Sequence, residues 1–266
     1  SERRMKRAKV STKRTKPKEC NVVRSVVLAS AQSHLKLAIN APEVAAVFLT
    51  GGRDAGNAIH RQLAGRPDVL LALELGGNNP IVTLDSVDPE VAARIISFSA
   101  FISSGQRCTC ARRAIFLSSE AAQKQIESLV NQTQELRSGM PFDSPAPQIG
   151  PLVSRAAAAS ISDAYAHLVS LGCKPLLPLR IVEKNDALVE PAILDATGIG
   201  AEAIREVGEM EWFGPILVVQ RTVNFQQAVE AAAQTPYGLS RSNPQLQRAQ
   251  GCNKPFGRPP PYSHIE

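Results

Sequence analysis

The sequence predicts an α/β fold, in which buried strands of a parallel sheet alternate with helices. The first observation is the apolar run VAAVFLT (44–50), which is followed by the glycine turn GGRDAG and the helical stretch NAIHRQLAG. The second observation is another apolar run, VLLALEL (69–75), which follows that helix directly. Strand, glycine turn, helix and strand in this order are typical of parallel strands joined by a crossover helix.

The elements after this unit are predicted from periodicity and from end signals. In DPEVAARIISFSAFISSG, Asp88 is the expected N-cap, Pro89 the first helical residue and Gly105 the stop. Alternating or continuous apolar runs predict strands, and longer amphipathic stretches predict helices. The strand candidates are ARRAIFL (111–117), PILVVQRTV (215–223) and runs in the segments between the helices, and the helices lie near 119–136, 154–171 and 225–234.

Length and composition place the chain among ordinary globular proteins. It has 266 residues, of which 44% are hydrophobic, enough for one large domain or two smaller ones with a buried core. No apolar run reaches the length of a membrane helix, and the N-terminus lacks a signal-peptide core, so we expect a cytoplasmic protein without a membrane partner. Five cysteines, an odd number spread over a long chain, predict reduced thiols rather than a disulfide framework.

The net charge of +6 is concentrated at the start of the chain, where SERRMKRAKVSTKRTKPKE holds nearly a third of all lysines and arginines. Such an arm can bind nucleic acid or an acidic membrane. No aromatic residues interleave to stack on bases, so a solvated tail is favoured over a nucleic-acid partner. The end of the chain, after Ser240, is proline-rich and without periodicity, and predicts a poorly structured tail.

The segment GQRCTCARR (105–113) places two cysteines beside three arginines. A zinc site needs about four ligands, and no second Cys or His pair lies nearby, so no metal site is predicted. A redox pair normally has C-x-x-C spacing, which C-x-C fits less well. A nucleophilic thiolate would be favoured by Arg107, Arg112 and Arg113, while a buried and inert cysteine fits the same residues equally well.

Two further features are compatible with catalysis. The turn GGRDAG would let backbone N–H groups and a helix N-terminus approach a phosphate, although many strand-to-helix turns contain glycine. Glu74 lies in LALELGGNNP, at the end of an otherwise apolar strand. It is either a carboxylate suited to general-base work or an end-of-strand residue that reaches solvent.

Together, FLTGGRDAG, LELGGNNP, FISSGQRCTCARR, PFDSPAPQIGPLVS, EWFGP and TPYGLS, in this order over residues 41–240, resemble the NAD(P)-dependent aldehyde dehydrogenases. Glu74 and Cys108 stand 34 residues apart, as in that family. The pair LGGNNP and GQRCTCARR is most similar to family members that oxidise a succinylated glutamate semialdehyde in arginine breakdown. The resemblance implies a remnant of a Rossmann-type cofactor domain followed by an α/β catalytic domain.

The resemblance also implies roles for single residues. Cys108 would be the nucleophile that attacks the aldehyde, Glu74 would activate water, and Cys110 would be a packing neighbour. Glu211 would hold the ribose beside the nicotinamide of NAD (or NADP), and Phe213 would pack near the ring. The cofactor loop would comprise Gly51, Gly52, Arg53, Asp54, Ala55 and Gly56.

The resemblance divides the chain into four predicted segments: 1–40 basic and atypical, 41–78 from the cofactor domain, 79–240 catalytic, and 241–266 irregular. We expect a truncated copy that lacks the family's oxyanion asparagine and its ribose-binding lysine. An arginine-rich mouth formed by Arg107, Arg112 and Arg113 would suit a dicarboxylic aldehyde, with ordinary ion pairing as the alternative for the last two. The alternative function is an inactive fragment that binds a partner subunit, and homo-oligomers are a further expectation from the family.

Overall fold

The computed structural model describes residues 39–182 and 187–240, which form two compact units that divide between Glu74 and Leu75. The predicted basic segment as far as residue 38 and the predicted tail 241–266 lie outside the described residues. The division precedes the predicted boundary at residue 78. The GGNN segment (76–79) forms hydrogen bonds within the second unit, where the Gly77 N–H donates to Glu211. The assignment of domains to these units stays a prediction.

The first unit is a strand–helix–strand motif, as the sequence predicted. Strand β1 (Ala46–Thr50) and strand β2 (Leu70–Glu74) are parallel, with Thr50 opposite Glu74, and helix α1 (Arg53–Leu63) connects them. Alternate strand residues face the helix, which buries one apolar cluster between helix and sheet. The buried members of this cluster are Ile39, Ile59, Leu63 and Val69.

The second unit contains a five-stranded sheet in the order β3-β4-β7-β6-β5. Neighbouring strands are parallel except β5, which runs antiparallel to β6. The strands are β3 (Asn79–Val82), β4 (Ala111–Leu117), β5 (Lys174–Leu177), β6 (Ala192–Asp195) and β7 (Ile216–Thr222). The helices are α2 (Pro89–Phe101), α3 (Glu120–Gln134), α4 (Arg155–Ser170), α5 (Ala201–Glu209) and α6 (Phe225–Ala233).

Both faces of this sheet are covered, which explains the continuous apolar runs of β4 and β7. On β7, Leu217 and Val219 belong to one buried cluster, while Ile216 and Val218 belong to another. The first cluster is filled by α2 and α3 and the second by α4, α5 and the buried Trp212. No helix in the described part of the chain is long and apolar enough to span a membrane.

The start of α2 is confirmed and its end differs from the prediction. The Asp88 side chain accepts hydrogen bonds from the N–H groups of Glu90 and Val91, with Pro89 as the first helical residue. The regular helix stops at Phe101, ahead of the predicted stop at Gly105. The cause lies in the next residues, because Ile102 is extended with φ −53° and ψ 136° and Ser103 and Ser104 adopt left-handed conformations, which end the right-handed helix.

Two elements of the second unit were missing from the sequence prediction, strand β3 and helix α5. Strand β3 is only four residues long and begins Asn-Pro, a combination typical of turns. Helix α5 is also short, with nine residues, and its Gly208 lies against the backbone of Gln234, where a Cβ would overlap the carbonyl oxygen. In both cases tertiary contacts override weak local signals.

Candidate active site

In the first unit, the glycine turn and Glu74 lie at one edge of the two-stranded sheet. The Gly51 N–H donates to the Glu74 carbonyl at 3.0 Å, which ties the start of the turn to the end of β2. The carboxyl ends of parallel strands meet at the same edge of a sheet, where open α/β folds bind ligands. Glu74 is exposed, which is compatible with both interpretations left open by the sequence, so its role stays a prediction.

The turn leads into the N-terminus of α1 without a side-chain cap. Gly52 occupies the N-cap position with φ −75° and ψ 161°, and a Cβ added there would meet nothing within 4 Å. Arg53, Asp54 and Ala55 are exposed, whereas Gly56 is buried. An uncapped helix N-terminus reached through glycines offers N–H groups to an anion, so these residues fit a phosphate of a dinucleotide.

In the second unit, the turn before Cys108 is conformationally strained. Ser103, Ser104 and Gly105 take φ values of 53°, 56° and 71°, a left-handed run that non-glycine residues seldom adopt. A Cβ at Gly105 would overlap the carbonyl group of Gly214. The buried Ser104 hydroxyl donates to the Gly150 carbonyl at 2.8 Å and accepts from the Gly150 N–H at 3.0 Å. Such strain persists only where surrounding contacts hold it, as these do.

Cys108 follows this turn and is partly buried. Gln106 anchors the preceding residues, because its Oε1 accepts from the Val153 N–H at 2.9 Å. Arg107 is exposed and its Nε donates to the Ser103 hydroxyl at 2.9 Å. The Arg107 carbonyl accepts from the Cys110 N–H at 3.1 Å, which closes a tight turn with Cys108 near its tip.

Asn79 connects the GGNN segment to the turn that carries Cys108 (102–110, the cysteine turn). Its buried Nδ2 donates to the carbonyl oxygens of Cys108 at 2.6 Å and Cys110 at 2.9 Å. Its Oδ1 accepts from the Ser240 N–H at 3.1 Å, at the end of the TPYGLS segment. One amide therefore positions the backbone on both sides of Thr109 and joins three of the motifs recognised in the sequence.

Glu211 and Phe213 lie beside the same segments. The Gly77 N–H donates to Glu211 Oε1 at 3.0 Å, and a Cβ at Gly76 would overlap the Glu211 carboxylate. The ring of Phe213, which is 46% exposed, covers the guanidinium of Arg112 at 5.6 Å from the ring centroid. The structure thus brings Gly77, Glu211, Phe213 and the cysteine turn together within the second unit, and holds Glu74 and the glycine turn together within the first.

The three described cysteines differ in burial. Cys110 is buried and its Sγ donates to the Ile102 carbonyl at 3.5 Å, as expected for a packing residue. Burial raises the pKa of the Cys173 thiol to about 11, with a smaller contribution from Asp195. Cys108 alone among the three is partly exposed, and among the described residues no cluster of three metal-binding side chains includes it.

The predicted arginine-rich mouth is wrong for two of its three members. Arg112 is fully buried and Arg113 is 2% exposed, because both side chains point into the unit and donate to backbone carbonyls. Arg113 Nη1 donates to the Ala231 carbonyl at 2.7 Å, at the C-terminus of α6, where a positive charge is favourable. Arg107 is the exposed member of the three.

Sequence reasoning also missed the asparagine that supports Arg113. Asn78 Oδ1 accepts from Arg113 Nε at 2.7 Å, and Asn78 Nδ2 donates to the carbonyls of Val207 at 2.6 Å and Met210 at 2.8 Å. Met210 precedes Glu211, so Asn78 fixes the backbone that presents this carboxylate. The signal in the sequence that could have indicated this role was the Asn-Asn pair directly after two glycines, since buried amide side chains require several hydrogen-bond partners.

The model of the aldehyde dehydrogenase family matches residues 17–243, and the chain belongs to this family. The match begins at residue 17, so the expected start of the resemblance near residue 41 was too late.

Among curated relatives, N-succinylglutamate 5-semialdehyde dehydrogenase of Vibrio cholerae is 45% identical over 195 residues, which are 73% of this chain and 39% of the relative. The enzyme of the same name from Serratia proteamaculans is 41% identical, over 74% of this chain and 39% of the relative. The solved 1-pyrroline-5-carboxylate dehydrogenase from Thermus with bound NAD is 25% identical, with a TM-score of 0.69, over 77% of this chain and 39% of that chain. The chain therefore spans about two fifths of the length of these relatives.

Proposed function

We propose that this chain contributes the nucleophile and part of the cofactor site to an NAD(P)-dependent aldehyde dehydrogenase. Its substrate would be N-succinylglutamate 5-semialdehyde, the aldehyde named in its curated relatives, in the breakdown of arginine. The observation that supports the proposal most is the pair of contacts from the GGNN segment. Gly77 bonds Glu211 and Asn79 bonds the backbone at Cys108, so the residues predicted for cofactor and for nucleophile share one framework.

The first half of the proposed reaction belongs to Cys108. Its Sγ, as the thiolate, attacks the aldehyde carbon, a C–S bond forms, and the carbonyl electron pair moves to oxygen. The resulting thiohemiacetal then loses hydride from carbon, the oxygen electrons re-form the carbonyl, and a thioester remains on Cys108. A nicotinamide bound beside Cys108 would supply the acceptor for that hydride, which carries a pair of electrons with its proton.

The second half belongs to Glu74 as general base. Its carboxylate takes a proton from water while the water oxygen attacks the thioester carbon, and collapse breaks the C–S bond. The carboxylic acid leaves and the Cys108 thiolate is restored. An exposed carboxylate at a strand end suits this role, since the base must reach a water molecule and pass its proton to solvent.

The residues proposed to hold the cofactor match the chemistry of a dinucleotide. Gly51, Gly52, Arg53, Asp54, Ala55 and Gly56 form the turn and the helix N-terminus that would bind phosphate. The Glu211 carboxylate would accept hydrogen bonds from ribose hydroxyls, and the exposed face of Phe213 would pack near the nicotinamide. The solved relative with bound NAD supports a cofactor of this type, either NAD or NADP.

Arg107 is proposed to bind a carboxylate of the substrate. It is exposed, directly precedes Cys108, and carries a planar guanidinium suited to two-point contact with a carboxylate.

The proposal is tested by following NADH formation with N-succinylglutamate 5-semialdehyde and with propanal as a neutral aldehyde. The wild-type chain should form NADH, and Cys108→Ala should form none. Glu74→Gln should release a single equivalent of NADH and then stop, with the thioester detectable on Cys108 by mass spectrometry, because hydrolysis lacks its base. Glu43→Gln, an exposed carboxylate in the same unit, is the control that should turn over normally.

Calorimetry with NAD distinguishes the proposed enzyme from the inactive subunit-binding fragment. Folded wild-type protein that neither binds NAD nor yields NADH with either aldehyde would overturn the proposed activity. Steady turnover by Glu74→Gln would instead reject only the role of Glu74.

A further inference from the structure

Arg112 is a fully buried guanidinium directly behind the cysteine turn. Its Nη1 donates to the Gly105 carbonyl at 2.8 Å and its Nη2 to the Arg107 carbonyl at 3.0 Å. Its Nε is buried without a hydrogen-bond partner among the described residues, and the Phe213 ring lies over the group. Burial lowers the pKa of Arg112, against the opposing effects of Cys110 and Glu211.

A buried charged group with one N–H that makes no hydrogen bond contributes little to stability, since an apolar residue of similar volume often stabilises the fold as much or more. The two carbonyls that Arg112 binds suggest another use. Both belong to the turn that presents Cys108, and one of them belongs to the residue immediately before it. The contacts of Arg112 are therefore concentrated on backbone orientation near the nucleophile.

Peptide geometry makes this orientation specific. The Arg107 carbonyl and the Cys108 N–H belong to one planar trans peptide group and point in opposite directions. Arg112 Nη2 and the Cys110 N–H both donate to that carbonyl, at 3.0 Å and 3.1 Å. The Cys108 N–H is consequently directed away from the guanidinium. The peptide group that contains the Gly105 carbonyl is held likewise, because its other end, the Gln106 N–H, donates to Ser103 at 3.0 Å.

We propose that Arg112 is a positioning residue that fixes the Arg107–Cys108 peptide group, so that the Cys108 N–H is preset to donate to the oxyanion formed when the Cys108 thiolate attacks a carbonyl. Backbone N–H groups held in advance stabilise such oxyanions strongly, because they need no reorganisation during the reaction. The inference rests on Cys108 being the nucleophile of the proposed function, and it assigns Arg112 to backbone orientation rather than to substrate binding.

The test compares two reactions of the same thiol in the full chain. With 4-nitrophenyl acetate, Cys108 Sγ attacks the ester carbon, the carbonyl electrons form an oxyanion, and collapse expels 4-nitrophenolate to leave an acetyl thioester. With iodoacetamide, the same sulfur displaces iodide from a saturated carbon and no oxyanion forms. Both reactions need the thiolate equally, so the ratio of their rates at Cys108, followed by peptide mass spectrometry, reports the oxyanion donor alone.

Arg112→Met should slow acylation of Cys108 about 100-fold and change alkylation by less than about threefold. Arg112→Lys should recover part of the lost acylation, since an ammonium group reaches one of the two carbonyls. Arg94→Met, an exposed arginine on α2, should alter neither rate. Protection of Cys110 and Cys173 from alkylation in each variant confirms that the second unit remains folded.

Equal slowing of both reactions in Arg112→Met would overturn the proposal, because it would mean that Arg112 acts on the thiolate or on the fold. Unchanged rates of both acylation and alkylation in this variant would overturn it as well. If the wild-type chain forms no NADH but Arg112→Met still slows acylation of Cys108 far more than alkylation, the dehydrogenase activity is refuted and the role of Arg112 is retained. The two proposals therefore fail in distinguishable ways.

Discussion

The two turns predicted to carry function, the glycine turn 51–56 and the cysteine turn 102–110, are built in opposite ways. The glycine turn is held by a backbone bond from Gly51 to Glu74, and its helix begins without a side-chain cap. The cysteine turn is held by side chains of Ser104, Asn79 and Arg112, which bind its backbone or that of its neighbours. A site that binds an anion needs accessible N–H groups, whereas a covalent nucleophile needs a fixed direction.

The strongest test of this difference exchanges glycine for alanine in each turn. Gly105→Ala should lower the free energy of unfolding of the second unit by about 3 kcal/mol, because its φ of 71° is strained for alanine and the Cβ overlaps Gly214. Fluorescence of Trp212, the one tryptophan in the chain, reports this unfolding in urea. Gly52→Ala, where a Cβ meets nothing, should change the stability of the first unit by less than about 1 kcal/mol, as measured by amide hydrogen exchange of α1. Similar losses in both variants would contradict the comparison.

A smaller effect is expected from the amide that holds the cysteine turn. Asn79→Ala leaves the buried carbonyls of Cys108 and Cys110 without this donor, so the free energy of unfolding should fall by about 2 kcal/mol. The loosened turn should also make Cys110 accessible to alkylation while Cys173 stays protected. Thr109→Ala, an exposed side chain in the same turn, is the matched control and should change neither property. A Cys110 that stays protected in Asn79→Ala would show that other contacts suffice to hold the turn.

The smallest predicted effect concerns the buried Cys173 of the core, outside both turns, and the way in which stability depends on pH. The pKa of Cys173 is raised from 9.0 to about 11, so the folded state keeps this proton at pH values where the unfolded chain has lost it. Stability should therefore fall as pH rises from 9 towards 11, by roughly 1 kcal/mol between pH 8 and pH 10. The measurement is urea unfolding at both pH values, with Cys173→Ala as the reference that removes this contribution. An identical pH dependence in the variant would contradict the burial of the thiol.

Much of the fold follows from local pattern. The strand–helix–strand motif of the first unit was predicted, although α1 begins at Arg53, four residues before the predicted helical stretch. Apolar strands and a glycine turn leave few alternatives over so short a stretch. The N-cap at Asp88 was predicted for the same reason, since a cap depends on the side chain and on the next three residues. The short elements β3 and α5 were missed, because each is stabilised by contacts distant in sequence rather than by its own propensity.

The candidate site divides in the same manner. The order of motifs and the spacing of Glu74 and Cys108 are properties of the chain, and they sufficed to select the family and to nominate both residues for catalysis, roles that stay predictions. The burial of Arg112 and Arg113 could not be predicted, because the sequence of a basic pair near a cysteine is the same whether the pair faces solvent or the core.

The sequence by itself therefore determined which residues are available for chemistry, and the family to which they belong. Only the tertiary structure decided that Arg112 and Arg113 point inward and that Asn78 and Asn79 bind neighbouring segments. The physical reason is that the partners of these four side chains include backbone carbonyls, which every residue possesses, so that their pairing leaves no trace in residue identity. Such pairing is fixed only when distant segments of the chain are packed together.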